Sequence, residues 1–304
     1  MLLRKKEEIE AWLNQYNIEN YELIEDQEYG YVVNVNGNVD LNDKNLNSID
    51  VKFNKVNGNF NCSNNELTSL KGCPEIISGS FFCNSNKLES LEGCPEIING
   101  SFNCGHNELM SLKGCPEKVK GSFVCNNNQL KTLEGCSKII GGHFDCSNNK
   151  LESLEGCPEI VKGSFFCSTN KLISLKYSPK IINGSFYCNS NQLESLEGCP
   201  NIVYGNFSCS FNKLESLKGC PEIIAGWLNC KNNNLTIEGL KYLPKDINEN
   251  CIDISKNKNL SDLQNINNFE ELKENLKIKE EKENLLKLIE NNNKEKITKK
   301  VNKL

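Results

Sequence analysis

The sequence predicts a solenoid built from short parallel strands, with one strand in each repeat, and three observations lead to this prediction. A unit of 21 residues recurs from about residue 58 to residue 231, and Gly79 to Asn99 is one clean copy. The same columns of the unit stay apolar from copy to copy. Gly and Pro recur at fixed offsets, where the chain has to bend. Because each unit of a solenoid contacts only its neighbours, the 304 residues need not divide into ordinary globular domains.

The strand of each unit is predicted from the pattern Phe-x-Cys, which gives two inward side chains because strand side chains alternate between faces. An Asn follows each Cys by three positions, as Asn86 follows Cys83. Its amide can donate and accept, so we expect it to bond the open backbone groups of its own turn and of neighbouring turns. The cysteines that mark the register, 21 residues apart, are Cys62, Cys83, Cys104, Cys125, Cys146, Cys167, Cys188, Cys209 and Cys230.

The rest of the unit closes the coil. Two leucines, such as Leu88 and Leu91, are predicted to point back into the core. The segment Gly93 to Pro95 makes the second bend, because Pro fixes φ and Gly permits tight geometry. Ile98 and its equivalents then fill the far side, and a Gly before each strand allows the last corner.

The pattern F-x-C-x-x-N-x-L-x-x-L resembles the leucine-rich repeat L-x-L-x-x-N-x-L, over roughly residues 39–260. The short unit and its Pro-containing return segment look like the short bacterial class of leucine-rich repeats. The resemblance implies a leucine-rich-repeat solenoid of the α/β horseshoe class, rich in β-structure, with about eleven rungs. It further implies short parallel strands on a concave face, extended or irregular backbone on a convex face, and protein recognition as the usual role.

The ends of the chain are predicted to be caps, because an open solenoid exposes apolar core. Residues 1–38 form an N-terminal helix and hairpin, with the helix over 2–17, and residues 39–260 form the solenoid. Residues 261–304 form a C-terminal helical cap and a Lys/Glu-rich tail. Self-association or partner binding through this last segment is the alternative.

The seventeen cysteines do not read as a disulfide framework. Nine belong to the strand column, seven form a second column from Cys73 to Cys220, and the last is Cys251. The column positions are those that Leu or Val fills in related repeats, so each Cys acts as a small buried hydrophobe. Reduced thiols predict a cytoplasmic protein. The chain has no C-x-x-C pair, so we expect neither a metal site nor a cofactor.

Composition and charge narrow the partner classes. The net charge of −5 argues against a general phosphate-binding surface, so we expect no nucleic acid partner. The N-terminus has no signal-peptide pattern, and no stretch approaches the roughly 20 apolar residues of a membrane helix. We therefore expect no membrane partner.

No residue pattern predicts catalysis. His106 and His143 occupy slots that other units fill with Asn or Ser, so both are interpreted as solvated surface residues. Asp40, Asp145 and Asp253 fall on rungs too far apart for acid and base catalysis, which needs separations below about 10 Å. Cys251 to Asp253 matches a reactive C-x-D motif but lies inside the last rung, which favours a structural role. We predict that the chain is not an enzyme.

The outward residues of the strands are free to vary, and several are apolar where polar residues would suffice. Phe166 and Tyr187 are on adjacent rungs, and we predict that they form an aromatic cluster with Phe211 and Trp227. Aromatic residues dominate the energetics of protein interfaces. The alternative is that these aromatics pack on each other or under the C-terminal cap. The predicted protein-binding residues are Phe82, Val124, Phe166, Tyr187, Phe211 and Trp227.

The function predicted from the sequence is a non-enzymatic scaffold that binds a protein partner of unknown identity through the concave face. One alternative is a stoichiometric inhibitor or sequestering factor of a host enzyme, in a conflict between phage and bacterium. Another is a surface or secreted adhesive protein, which the free thiols and the absence of an export signal disfavour.

Overall fold

The structure is a computed structural model, and it describes residues 2–244, 247 and 251–263, with side chains described up to residue 260. Nearly all of the predicted C-terminal cap, residues 261–304, lies outside the described residues, and so does its predicted self-association. Within the described part, no helix is both long enough and apolar enough to cross a membrane.

The N-terminal segment has the predicted helix and hairpin. Helix α1 (Lys6–Gln15) is shorter than the predicted span of 2–17, and its buried side chains are Ile9, Trp12 and Leu13. Strands β1 (Tyr21–Asp26) and β2 (Gly30–Val35) pair in antiparallel register. Beyond its partner, β2 pairs in parallel with Phe53–Val56 of the first repeat turn, so the hairpin joins a sheet of the solenoid directly.

The solenoid itself is a β-solenoid whose main sheet, here called the front sheet, has eleven parallel strands. Each strand pairs with the residue one unit later, as Phe81 pairs with Phe102, which confirms the predicted register. The last step is longer, because Leu228 pairs with Ile252, and this lengthening was also predicted. The front strands are Val39–Asp40, Phe60–Asn61, Phe81–Phe82, Phe102–Asn103, Phe123–Val124, Phe144–Asp145, Phe165–Phe166, Phe186–Tyr187, Phe207–Ser208, Leu228–Asn229 and Ile252–Asp253.

The opposite side of the coil is a second set of paired strands, here called the back sheet. The sequence predicts extended or irregular backbone there. The backbone is extended, and after the four-residue strand Phe53–Val56 it pairs in regular two-residue strands. Its ladder is interrupted once, between Ile160–Val161 and Ile181–Ile182, which leaves an eight-stranded part and a three-stranded part. After the hairpin the back strands are Phe53–Val56, Ile76–Ile77, Ile97–Ile98, Lys118–Val119, Ile139–Ile140, Ile160–Val161, Ile181–Ile182, Ile202–Val203 and Ile223–Ile224.

Near the C-terminal end, two short 3-10 helices replace the regular return segments. They span Glu238–Tyr242 and Lys258–Leu263. Although the tenth unit is longer, the eleventh front strand still pairs in parallel with the tenth.

The core between the two sheets contains a continuous stack of phenylalanine rings. From Phe60 to Phe207 the centroids of rings on successive rungs lie 5.1–5.9 Å apart. Phe53 extends the stack to helix α1. Its ring centroid lies 5.2 Å from that of Phe60 and 6.3 Å from that of Trp12. Aromatic pairs at such distances contribute about 0.5–1.5 kcal/mol beyond the burial of their area. The N-terminal helix is thereby packed on the same apolar column as the repeats.

The buried asparagines form a second ladder, as predicted. The Asn86 side chain donates to the carbonyls of Cys62 at 3.0 Å and of Cys83 at 3.1 Å, and its Oδ1 accepts from the Leu67 N–H at 2.9 Å. One side chain thus satisfies backbone groups of two rungs. An unpaired buried polar group costs about 1–3 kcal/mol. A change in the distance between rungs would break these hydrogen bonds, so each Asn helps to fix that distance.

All nine cysteines of the strand column are buried, and the structure holds the seventeen as free thiols. Burial raises the pKa of the Cys83 and Cys104 thiols, because the apolar core disfavours the thiolate. The pKa of Cys115 in the second column is raised by burial to about 11, although Ser137 opposes the rise. Buried, protonated thiols behave as small apolar side chains rather than as nucleophiles.

Candidate functional site

The outward residue of each front strand, here called the front column, most often caps the turn that follows the strand. Asn61 Oδ1 accepts a hydrogen bond from the N–H of Ser63 at 3.1 Å, and Asn103 Oδ1 accepts one from Gly105 at 3.0 Å. Asp40, Asp145, Asn229 and Asp253 make the same contact two residues ahead. The neighbouring carbonyls already accept from the buried asparagines, and on these rungs the outward side chain is the acceptor for the turn N–H.

Five rungs lack this cap, because their front-column residue offers no acceptor in that position. Within the described part of the chain, the turn N–H of each of these rungs donates to no group. A missing hydrogen bond of this kind costs about 1 kcal/mol. Stability alone would therefore favour Asn or Asp here, and the apolar or aromatic residue found at four of the five rungs calls for another reason. The five front-column residues are Phe82, Val124, Phe166, Tyr187 and Ser208, and the open N–H groups belong to Asn84, Asn126, Ser168, Asn189 and Ser210.

Two of these residues form a stacked aromatic pair. The rings of Phe166 and Tyr187 lie 5.1 Å apart with an interplanar angle of 3°. The His143 ring meets Phe166 edge-on at 6.4 Å, and Asn206 Nδ2 donates to the Tyr187 hydroxyl at 3.5 Å. Both aromatic side chains are half-buried, so part of the surface of the pair is accessible to a ligand.

The open N–H groups of Ser168 and Asn189 come two residues after Phe166 and Tyr187 and lie on adjacent rungs. The site therefore combines an apolar platform with hydrogen-bond donors at its edge, the pairing that interface anchors use. We call the set of Phe166, Tyr187, His143 and the N–H groups of Ser168 and Asn189 the front patch.

The other predicted residues are placed differently. Phe82 and Val124 share the front column and are half-buried, but Asn103 and Asp145 separate them from the front patch. They extend the same surface toward the N-terminal end of the solenoid, at the two other apolar rungs that lack the cap.

The predicted cluster of four aromatics is not formed by ring contacts. Among the described residues, neither Phe211 nor Trp227 is in ring contact with Phe166 or Tyr187. The reason is position within the unit, since Phe211 lies in the turn after its strand and Trp227 lies just before its own strand. Both are nevertheless exposed, at 52% and 56% of their surface.

Phe211 adopts a left-handed backbone conformation, with φ of 55°. Its column is otherwise filled by residues such as Asn64, Ser85 and His106, small or polar types that tolerate this conformation better. A bulky aromatic in this conformation is strained, and about half of its surface is exposed rather than packed. Such strain is found preferentially at functional sites.

Trp227 ends a third ladder, made by the residues just before the front strands. Each side chain of this ladder accepts the backbone N–H of the equivalent residue one rung later, as Ser80 Oγ accepts from Ser101 and Ser122 Oγ accepts from His143. The ladder begins at Asn38 and reaches Asn206, which accepts from the N–H of Trp227 at 2.9 Å. The indole has no acceptor, so the ladder stops there.

Charge is nearly absent from this surface. Across the units from 80 to 210, the front column and the columns two residues to either side of it contain one formally charged residue, Asp145. The lysines and glutamates lie in other columns, such as Glu92 and Lys113. Depletion of charged residues is a property of the central part of protein interfaces.

The residues considered for chemistry have structural contacts. His106 Nε2 lies 3.2 Å from Asn127 Nδ2, and His143 Nδ1 accepts the N–H of Ser164 at 2.8 Å. Asp40, Asp145 and Asp253 each cap a turn. In the described ranges, no three His, Cys, Asp or Glu side chains come close enough together to hold a metal ion.

Sequence reasoning missed His143 as a member of the front patch and missed the open N–H groups. His143 precedes its strand whereas Phe166 lies within the next one, so the contact depends on how adjacent rungs are offset. The open N–H groups have a signal in the sequence, because Asn or Asp in the front column marks a capped turn and any other residue marks an open one.

Neither a family model nor a curated protein matches the chain. Among solved structures, YopM from Yersinia enterocolitica WA-314 is similar at 20% identity and a TM-score of 0.44. The match covers 65% of this chain and 52% of that one, so the chain spans about half the length of YopM. The description of the fold and of the front patch is therefore based on the sequence and structure of this chain alone.

Proposed function

We propose that the chain is a non-enzymatic scaffold that binds a protein partner through its front sheet, with the front patch at the centre of the contact. The partner presents an apolar side chain to the Phe166 and Tyr187 rings and carbonyl or carboxylate oxygens to the open N–H groups beside them. Phe82, Val124, Phe211 and Trp227 belong to the surrounding contact surface.

The observation that carries this proposal is the replacement of the capping Asn or Asp by apolar residues in a fold that otherwise keeps the cap. At four of the five uncapped rungs the replacement leaves one backbone donor open and one apolar or aromatic side chain half-exposed on the same rung; at the fifth, Ser208 is polar and buried. A partner that covers the patch satisfies both, because it desolvates the ring and accepts from the N–H.

The absence of catalysis is part of the same proposal. The strand-column cysteines are buried, and burial raises the pKa of their thiols, which makes them poor nucleophiles. The seventeen free thiols favour a reducing compartment such as the cytoplasm.

The test compares partner capture by the native chain and by the variant Phe166→Asn/Tyr187→Asn. Asparagine is native to this column at Asn61 and Asn103, so the variant keeps the fold and regains two turn caps. We expect purified partner, captured from an extract of the organism that encodes the chain, to bind the variant at least about 30-fold more weakly, as loss of an aromatic anchor does.

The matched control is Ile97→Asn/Ile223→Asn, which removes two exposed apolar side chains from the back sheet. It should bind the partner like the native chain. If the Phe166→Asn/Tyr187→Asn variant is folded by circular dichroism and retains the partner undiminished, the front patch is not the binding site.

A further inference from the structure

The back sheet exposes a column of isoleucines that the core does not need. Each two-residue back strand has one inward residue, such as Ile98 or Ile140, and one outward residue just before it. The outward side chains of Ile97, Ile160 and Ile181 are 47%, 47% and 49% exposed. A row of exposed β-branched apolar residues on a regular sheet indicates a surface that another molecule covers.

In the middle of this column the surface carries a shallow depression. Its floor is formed by Ile139, Ile160 and Gly141, and its rim by three lysines. A side chain at Gly141 is excluded, because a Cβ there would lie 1.9 Å from the carbonyl oxygen of Lys120. The missing side chain is what opens the floor between neighbouring rungs. The lysines of the rim are Lys118, Lys120 and Lys162.

The charge around the depression has the opposite sign to that of the whole chain. The four return segments 117–120, 138–141, 159–162 and 180–183 contain five lysines and two glutamates, a local net charge of +3, whereas the chain carries −5. None of these lysines forms an ion pair with any described residue. The positive charge is thus uncompensated and available to a partner.

The two glutamates distinguish between partners. Glu117 and Glu159 directly precede the back strands and are exposed along one side of the isoleucine column. A flat anionic bilayer would bring its headgroups against these carboxylates, whereas a peptide can follow the depression and leave that side uncovered. An apolar floor inside a basic rim therefore suits a peptide with both acidic and aliphatic side chains.

We propose that this depression, here called the basic depression, binds an acidic peptide segment. An aliphatic side chain of the peptide rests on Ile139 and Ile160, and its carboxylates pair with Lys118, Lys120 and Lys162. The site is on the opposite sheet from the front patch and shares no residue with it, so it stands independently of the function proposed above.

The experiment measures the fluorescence anisotropy of a labelled synthetic peptide in which glutamate and leucine alternate, titrated with the full chain at low and at physiological salt. We expect binding that weakens as salt rises, because exposed charge pairs are screened. The variant Lys120→Glu/Lys162→Glu should bind about tenfold more weakly or worse, and Ile139→Ser/Ile160→Ser should lose a comparable amount.

The matched control is Lys171→Glu/Lys213→Glu, which makes the same charge change at exposed lysines with the same two-rung spacing, in another column. It should leave the affinity unchanged. Circular dichroism and the midpoint of urea unfolding establish that each variant is folded.

Three results would overturn the proposal. The first is no binding of the peptide by the native chain. The second is equal binding of a peptide in which serine replaces leucine, which would reduce the contact to net charge. The third is binding to phosphatidylserine vesicles with no binding to the peptide, which would make the surface a membrane contact.

Discussion

At the scale of single residues, the front column separates stability from function. Asn61 and Asn103 each contribute a turn cap, whereas Val124 contributes none and leaves the N–H of Asn126 open. Val124 lies between Asn103 and Asp145 in the front column, so replacing it breaks no aromatic stacking there. A substitution at this position therefore measures the cost of the missing cap alone.

The substitution Val124→Asn should raise the free energy of unfolding by about 0.5–1 kcal/mol, because the new side chain accepts the Asn126 N–H. Urea unfolding followed by circular dichroism measures the change. The control Val124→Ile keeps an apolar side chain without any acceptor and should gain nothing. A Val124→Asn variant less stable than the native chain would contradict the capping argument.

Some residue-scale properties are predictable from the sequence and some are not. The role of Asn86 follows from its amide and its fixed offset from Cys83, and the structure confirms it. The contact of His143 with Phe166 depends on how far one rung slides past the next, which no column pattern encodes. Among the described residues, Phe211 and Trp227 make no ring contact with the stacked pair, and their part in a protein-binding surface stays a prediction.

At the scale of one structural element, the seventh return turn departs from the pattern. Every other regular turn has Gly with positive φ, as at Gly156 and Gly198, but here Tyr177 adopts φ of 75°. The back ladder is interrupted just after this turn, before Ile181. An L-residue in this conformation costs about 1–2 kcal/mol, and the contact of its ring with Lys176 Nζ, 5.0 Å from the centroid, offsets part of that cost.

The substitution Tyr177→Gly should therefore stabilise the chain by about 0.5–1 kcal/mol, measured by urea unfolding. The reciprocal change, Gly156→Tyr, should destabilise it, because a Cβ there would lie 2.5 Å from backbone atoms of Leu133 and Glu134. If both substitutions left the unfolding midpoint unchanged, the strain at Tyr177 would be absent.

The back strands show why element prediction stops short of the full fold. Their inward residues were predicted as far-side core, and Ile98 and Ile140 are buried. The hydrogen-bonded pairing of the back strands was not predicted. Each of these strands has two residues, which are too few to show the alternation of buried and exposed side chains that marks a strand. The exposed isoleucines read as further core by composition, so the basic depression could be found only once the coil was built.

At the scale of the whole molecule, the buried thiols should make the free energy of unfolding decrease at alkaline pH. Burial raises the pKa of the strand-column thiols, and it raises the pKa of Cys230 to about 12. Below the ordinary thiol pKa of 9.0 both folded and unfolded chains keep these protons, so this contribution is complete. Above it the unfolded chain releases them and the folded chain does not, so stability is lost as pH rises toward the folded-state values.

We therefore expect the free energy of unfolding to fall steeply between about pH 8 and pH 10, by up to about 1.4 kcal/mol per pH unit for each thiol that titrates only on unfolding. Urea unfolding under reducing conditions at both pH values measures it. The variant Cys83→Ala/Cys104→Ala should fall less steeply, because two of these protons are gone. Equal stability of the native chain at both pH values would contradict the argument.

The repeat period predicted the whole-molecule architecture more fully than any single site. A translation of 21 residues places Phe81 against Phe102 and Asn61 against Phe82, and the structure has these pairs. The predicted roles of residues 261–304 lie outside the described residues almost entirely, and so does any effect of that segment on Trp227.

The ladder of side chains that runs from Asn38 to Asn206 has a direction, since each member accepts from the next rung and Trp227 accepts from none. Recombination between two copies of the coding repeat that adds or removes one whole 21-residue unit inside this ladder leaves every donor matched to an acceptor. The same event beyond Trp227 would meet no acceptor. Lengthening within the ladder therefore keeps all of these hydrogen bonds, whereas lengthening beyond Trp227 loses one of them, at a cost of about 1 kcal/mol.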